Sequence, residues 1–99
     1  MNNPPPTTTV VLPSNNASVA ANAVLDAVAS SGVTKVQYQL TGGTLNNALI
    51  ATATPTIYGW VASWNSTTVV NGQYTLKSVA SYAGGVSGTS APITITVGN

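Results

Sequence analysis

An all-β sandwich is the fold class this sequence predicts, and three observations predict it. Short β-prone runs are broken by Pro, Gly and Asn at intervals of about 8 to 12 residues, the spacing of a sandwich or barrel. The backbone preference agrees, because 13 Val, 4 Ile and 15 Thr among 99 residues favour extended chain. Within the runs, apolar residues recur at every second position, which gives each strand an inner and an outer face.

The elements follow in order. Residues 1–8 combine Pro4-Pro5-Pro6 with Thr7-Thr8, a composition that favours extended polyproline-like chain, and are expected to form a linker leading into a domain at 9–99. The stretch after Met1 lacks the charged and apolar segments of a secretory signal, so Met1 reads as the start of a mature or excised fragment. A first strand covers about 8–12 and ends at Pro13, with Ala17 to Ala20 continuing it after the turn Ser14-Asn15-Asn16. Strand two spans Ala23 to Ser30, and strand three spans Val33 to Thr41 after Ser31-Gly32. Gly42-Gly43 turns the chain towards strand four at Leu49 to Thr54, where Pro55 interrupts. Strand five covers Ile57 to Asn65, Asn71-Gly72 prepares a turn, and strand six runs from Gln73 to Tyr82. Gly84-Gly85 and Gly88 mark the loop to strand seven at Ile93 to Val97. Seven antiparallel strands without a helix make an immunoglobulin-like β-sandwich.

Alternation assigns the faces. Leu25, Ala27 and Ala29 of strand two, Val36, Tyr38 and Leu40 of strand three, Tyr74, Leu76 and Ala80 of strand six, and Ile93, Ile95 and Val97 of strand seven are expected inside. Trp60, Ala62 and Trp64 share one side of strand five, as Val10 and Leu12 do in strand one. Each indole can bury about 150 to 250 Å², so the two compensate for a core rich in Ala and Val. The outward set on strands three, six and seven includes Lys35, Gln37, Gln39, Thr75, Lys77, Val79, Thr94 and Thr96. Strands two and five present Val24, Asp26, Val28, Val61 and Ser63, a more apolar outer face whose valines suggest contact with a neighbouring domain. All three charges, Asp26, Lys35 and Lys77, are thus expected on outer faces.

Composition excludes whole classes of function. With one acidic residue, two lysines and neither His nor Cys, the chain cannot assemble a carboxylate pair, a His-activated nucleophile or a His, Cys or multi-carboxylate metal cage. No catalytic residue, cofactor or metal is therefore expected. A net charge of +1 is too small to neutralise a phosphate backbone, so nucleic acid is not an expected partner. No run of about 18 apolar residues is present to insert into a membrane. Thr, Ser, Asn and Gln, 38 in all, must wet most of the surface.

The segment Trp64-Asn65-Ser66-Thr67-Thr68-Val69, followed by Asn71-Gly72-Gln73-Tyr74-Thr75-Leu76 and Ala80, resembles bacterial immunoglobulin-like repeat domains. Pro13-Ser14-Asn15-Asn16-Ala17-Ser18-Val19, Leu25-x-Ala27-x-Ala29, Gly32-Val33-Thr34-Lys35-Val36 and the closing Pro92-Ile93-Thr94-Ile95-Thr96-Val97 are similar to that family in register. Tyr74 can turn its ring inward and send its hydroxyl back to the preceding corner, as in a tyrosine corner, and Leu76 stands where antibody domains carry their second cysteine. The resemblance implies a module of secreted or cell-surface proteins, often in tandem or beside a catalytic domain, without activity of its own. Where many members carry Asp after strand six, this chain has Tyr82-Ala83-Gly84-Gly85, so no carboxylate calcium site is expected there.

Sharper functions are weighed on the same residues. Trp60 and Trp64 could form a sugar-stacking platform, but their shared face favours core packing. Tyr58 and Tyr82 are the better candidates for an exposed aromatic surface. Thr94-Ile95-Thr96 is too short for a flat ice-binding array, and Asp26 faces away from both lysines, against an isopeptide bond. Asn16-Ala17-Ser18 and Asn65-Ser66-Thr67 match the glycosylation pattern yet read first as turns. The expected function is a non-catalytic extracellular module that spaces, orients or docks neighbouring domains and is monomeric when excised. The alternatives are polysaccharide binding through Tyr58 and Tyr82, or homophilic adhesion through Val24, Val28 and Val61.

Overall fold

A computed structural model describes residues 5–99. In chain order its strands are β1 (Thr8–Leu12), β2 (Ala17–Val19), β3 (Asn22–Ala29), β4 (Lys35–Gly42), β5 (Leu45–Thr52), β6 (Thr54–Thr56), β7 (Gly59–Asn65), β8 (Gly72–Ser81), β9 (Ser87–Thr89) and β10 (Ile93–Val97), with a 3-10 turn at Ser66–Thr68. They form two sheets, the first ordered β1-β3-β7-β6 and the second β2-β10-β8-β4-β5, with β9 on the flank of β8. The fold is an immunoglobulin-like sandwich. Its strands are more numerous than the seven expected because short segments change sheets, and β2 runs parallel to β10 while the other pairs are antiparallel.

The central strands of the second sheet follow the alternation without exception. Val36, Tyr38 and Leu40 of β4 are buried, as are Tyr74, Leu76, Ser78 and Ala80 of β8. They meet Leu25 and Ala27 of β3 and Trp64 of β7 from the opposite sheet, and Ile95 and Val97 of β10 complete the core. Tyr38 crosses the sandwich: its hydroxyl donates to the Trp60 carbonyl at 2.6 Å. Burial, and secondarily the charge of Asp26, pushes the Tyr38 phenol well above its ordinary range. A second polar link joins the layers, with Thr8 Oγ1 of the first sheet 2.8 Å from Ser78 Oγ of the second, and Ser78 N donates to Ser90 Oγ at 2.9 Å.

The first sheet departs from the expected pattern at several points. In β1 the register against β3 slips between Val10 and Leu12, so one extra residue, Val11, bulges out. Beyond a bulge the faces exchange, which is why Leu12, expected in the core with Val10, is 44% exposed. Asp26, expected outside, is only 7% exposed. In register it stands between Leu12 of β1 and Val61 of β7. Gly59 closes over it so tightly that a Cβ there would lie 2.7 Å from Asp26 Oδ1. Lys35 is exposed as expected, while Lys77 is half-buried and donates to Asn47 Oδ1 at 2.7 Å.

Three boundaries also move. Ala17–Val19 does not extend the first strand but joins the second sheet. The stretch 45–56 is nearly continuous, pairing with β4 as β5 and then with β7 as β6, and buried Ala53 marks the change of sheet. Pro55 therefore lies within β6 rather than interrupting it, which an edge strand tolerates because one side of its backbone needs no partner. Ile57 and Tyr58 form the β6–β7 turn instead of opening the next strand. Residues 1–4 of the expected linker lie outside the described residues. Of the remainder, Pro6 is buried and Thr8 begins β1.

Candidate functional site

Where the chain enters and leaves the sandwich is decided by strand direction. Thr8 pairs with Ala29 at the far end of β3, whereas Asn22 at its near end pairs with Asn65. Val97 of β10 pairs with Gly72 and Val19, and Gly98 N donates to Val19 O at 3.0 Å. The two ends of the described chain thus lie at opposite poles, separated by the eight-residue length of β3, roughly 25 Å at strand rise.

Both poles are fastened by neutral hydrogen bonds. At the first, Ser30 N donates to Thr7 O at 2.9 Å and Thr7 N to Ser30 Oγ at 3.1 Å. At the second, Asn99 acts as a hub. Its Oδ1 accepts from Ala21 N at 2.8 Å and from Ser66 Oγ at 3.0 Å, and its Nδ2 donates to Ser66 O at 3.0 Å. The Asn71 side chain binds the backbone of residue 99 like a strand partner: Asn99 N donates to Asn71 Oδ1 at 2.8 Å and Asn71 Nδ2 donates to Asn99 O at 3.1 Å. Ser66 is fully buried and also bridges to Ala21: its N donates to the Ala21 carbonyl at 2.8 Å, and its single hydroxyl proton is shared between that carbonyl, also at 2.8 Å, and Asn99 Oδ1. Ala21 itself has φ 52°, a left-handed backbone that a non-glycine residue holds only when its surroundings fix it.

The loop between these partners is equally ordered by side chains. Asn65 Oδ1 accepts from Thr67 N at 3.0 Å and from Thr67 Oγ1 at 2.6 Å, capping the 3-10 turn. Tyr74 lies buried just beyond, and its hydroxyl donates to Val70 O at 2.6 Å.

The residues proposed from sequence for other surfaces fall in separate places. Tyr58 is 76% exposed at the β6–β7 turn of the first sheet, while Tyr82 follows β8 in the second and is half-buried, close to Gly32. Val24 and Val28 are 57% and 49% exposed on β3, and Val61 on β7 is half-buried. Trp64 is buried and Trp60 half-buried; Trp64 floors a shallow groove of about 420 Å³ between β5 and β7, lined by uncharged residues such as Leu49, Ile50 and Val69. Among the described residues no three His, Cys, Asp or Glu side chains approach closely enough to hold a metal ion. The sequence marks Asn71 as a turn residue and Ser66 as part of a glycosylation pattern, both within the family resemblance, and it assigns no role to Asn99 and none of these residues to a common cluster. Their partners lie 28 to 78 residues away along the chain, and only the Asn71-Gly72 dipeptide carries a local signal.

Comparison with known proteins identifies the family and the fold. A family model described as a bacterial Ig domain matches residues 6–77. Among solved structures, the fibronectin(III)-like modules of Clostridium thermocellum CbhA superpose with a TM-score of 0.67 at 23% identity, covering 92% of this chain and 94% of that one. The endo-beta-1,4-mannanase from Thermotoga petrophila matches with a TM-score of 0.71 at 14% identity over 99% of this chain and 21% of that chain. An engineered protein matches with a TM-score of 0.68 at 21% identity, over 95% of this chain and 20% of that one. The chain therefore spans about a fifth of the length of two of these proteins. No curated protein sequence matches it.

Proposed function

The chain belongs to the bacterial Ig domain family, and on that premise we propose that it is a non-catalytic spacer and domain-orienting module of a larger secreted or cell-surface protein. The observation that carries this reading is the pair of fastened poles. A chain that enters at one end and leaves at the other transmits position along the long axis of the sandwich, and the Asn99 hub fixes the direction of departure. Similarity to a domain that makes up about a fifth of a larger structure supports the same setting. Its neutral, hydrogen-bonded surface suits a spacer that attracts neither nucleic acid nor acidic surfaces.

Spin labels placed at Thr7 and on a folded reporter domain fused after Asn99 test it through their distance distribution. The expected outcome is a narrow distribution that broadens in Asn99→Ala. An equally broad distribution in the wild type would show that the module sets no orientation. Polysaccharide contact through Tyr58 is the second reading, favoured by the exposure of that ring beside Ile57 at the β6–β7 turn. Retention on insoluble glycans that disappears in Tyr58→Ser would support it, and no retention across a broad glycan panel would remove it.

A further inference from the structure

The hub at Asn99 contains a chemical weakness. Asn71 is followed by Gly72, and the sequence 70–72 is exposed. An Asn side chain next to Gly undergoes amide loss most readily, because the missing Cβ lets the following backbone nitrogen reach Cγ. Here the space is open: nothing lies within 4 Å of where a Cβ on Gly72 would stand. We propose that Asn71 is a site of spontaneous amide loss through a cyclic imide with Gly72, and that this modification opens the Asn99 clamp irreversibly.

The chemistry is complete with water alone. The Gly72 backbone nitrogen attacks Asn71 Cγ and loses its proton, the Cγ–Nδ2 bond breaks, and Nδ2 departs as ammonia. Water then opens the five-membered ring at either carbonyl, giving an aspartate or its isomer with the main chain routed through the side-chain carbon. Nothing is oxidised or reduced.

Geometry couples this reaction to the clamp in both directions. Attack makes Cγ tetrahedral and expels Nδ2, which is incompatible with the planar amide whose Oδ1 accepts from Asn99 N while its Nδ2 donates to Asn99 O. The reaction therefore proceeds from the open state, and its rate scales with the fraction of molecules in which the clamp is open. After conversion the donor is gone. An ionised carboxylate only accepts, so one of its oxygens replaces Nδ2 against the Asn99 carbonyl, and acceptor faces acceptor. Residue 99 then depends on its own side chain, through Ser66 and Ala21. The isomeric product also lengthens the backbone by one atom at the start of β8, where Gly72 pairs with Val97. Release of a following domain from its fixed direction rests on the spacer reading; the modification and the opening of the clamp do not.

The test uses the intact chain, incubated at mildly alkaline pH and followed by peptide mass spectrometry with isoaspartate detection, alongside amide hydrogen exchange. Conversion is expected at Asn71 ahead of the other asparagines, and at least tenfold faster in Asn99→Ala, whose residue 99 is held by Asn71 alone. Ser66→Ala, which removes fewer of these bonds, should give an intermediate rate. Asn71→Asp should raise exchange at Ala21 and Asn99 while leaving the Leu76 and Ala80 amides protected, which shows that the fold persists. An unmodified Asn71, equal rates in wild type and Asn99→Ala, or unchanged Ala21 protection in Asn71→Asp would each overturn the proposal. None of these results depends on the distance distribution that tests the spacer reading, so the two can fail separately.

Discussion

The two sheets solve the same packing problem by different means. In the second, β4 and β8 lie in the middle, each flanked on both sides, and burial alternates along them residue by residue. In the first, β3 is buried at three consecutive positions, Leu25, Asp26 and Ala27, beside a bulged β1 and a glycine that presses backbone against backbone. The second sheet draws its stability from apolar side chains fitted into a regular ladder. The first depends more on close main-chain contact, where one added atom matters as much as one removed. Substitutions of opposite kinds should therefore injure the two sheets.

The largest effects test this directly. Leu76→Ala, at a fully buried position on β8, should lose about 2–5 kcal/mol in denaturant unfolding because it leaves a cavity. Gly59→Ala adds a methyl and should lose nearly as much, about 2–4 kcal/mol. The new Cβ would stand 2.7 Å from both Ala27 O and Asp26 Oδ1, on a backbone with φ 119° that suits glycine. The matching control is Gly72→Ala, where φ is also positive but the space is open, so backbone strain acts without a clash. If Gly59→Ala were no worse than Gly72→Ala, the first sheet would not be limited by close approach and the contrast would fail.

The same contrast explains what could be read from sequence. In β4, β8 and β10 one face meets the core and the other meets solvent, so alternation of Val36, Tyr38 and Leu40 with polar neighbours states the facing outright. The bulge at Val11 has no such signature: Val10, Val11 and Leu12 are three successive apolar residues, and which of them is extra depends on pairing with β3. The burial of Asp26 has no local signature for the same reason, since Gly59, which packs against its Oδ1, lies on another strand. Ile57 and Tyr58 have strand-like side chains that suggest the start of β7, although a tight turn places them. The resemblance carried by Trp64, Asn71-Gly72 and Tyr74 points to the family and the corner, while the Asn99 hub has no sequence signature because its partners, Ala21, Ser66 and Asn71, come from three separate stretches of chain.

A smaller effect sharpens the link between the sheets. Tyr38 belongs to the second sheet but donates to Trp60 in the first, so Tyr38→Phe should cost about 1 kcal/mol at neutral pH through the lost hydrogen bond. Its titration adds a pH signature. The folded state holds the phenol neutral above its ordinary value near 10, through burial first and the Asp26 charge second. Below that value both states keep the proton and stability is unaffected. Above it the unfolded chain loses the proton while the folded protein retains it, so unfolding becomes easier as pH rises towards the folded-state value. Unfolding curves between about pH 10 and 12 should fall more steeply in wild type than in Tyr38→Phe, by up to about 1.4 kcal/mol per pH unit. Parallel curves would place the ionising phenol in water rather than across the sandwich.

The smallest predicted change has the opposite sign. Asp26 is buried and its Oδ1 has no hydrogen-bond partner among the described residues. Both lysines belong to strands of the other sheet, and among the described residues neither is paired with the carboxylate. Asn has nearly the same shape and would preserve the contact with Gly59 while removing the charge. Asp26→Asn should therefore gain about 0.5–1 kcal/mol at neutral pH, since a carboxylate with one oxygen buried and unpartnered opposes folding more than a neutral amide does. The alkaline loss attributed to Tyr38 should also shrink in this variant, because one of its two causes is gone. A stabilising substitution at the chain's single acidic residue would locate the weakness of the first sheet at the point where bulge, charge and glycine meet. A destabilising one would mean that the carboxylate holds that irregular strand together, and that the first sheet relies on polar contact as well as close main-chain approach.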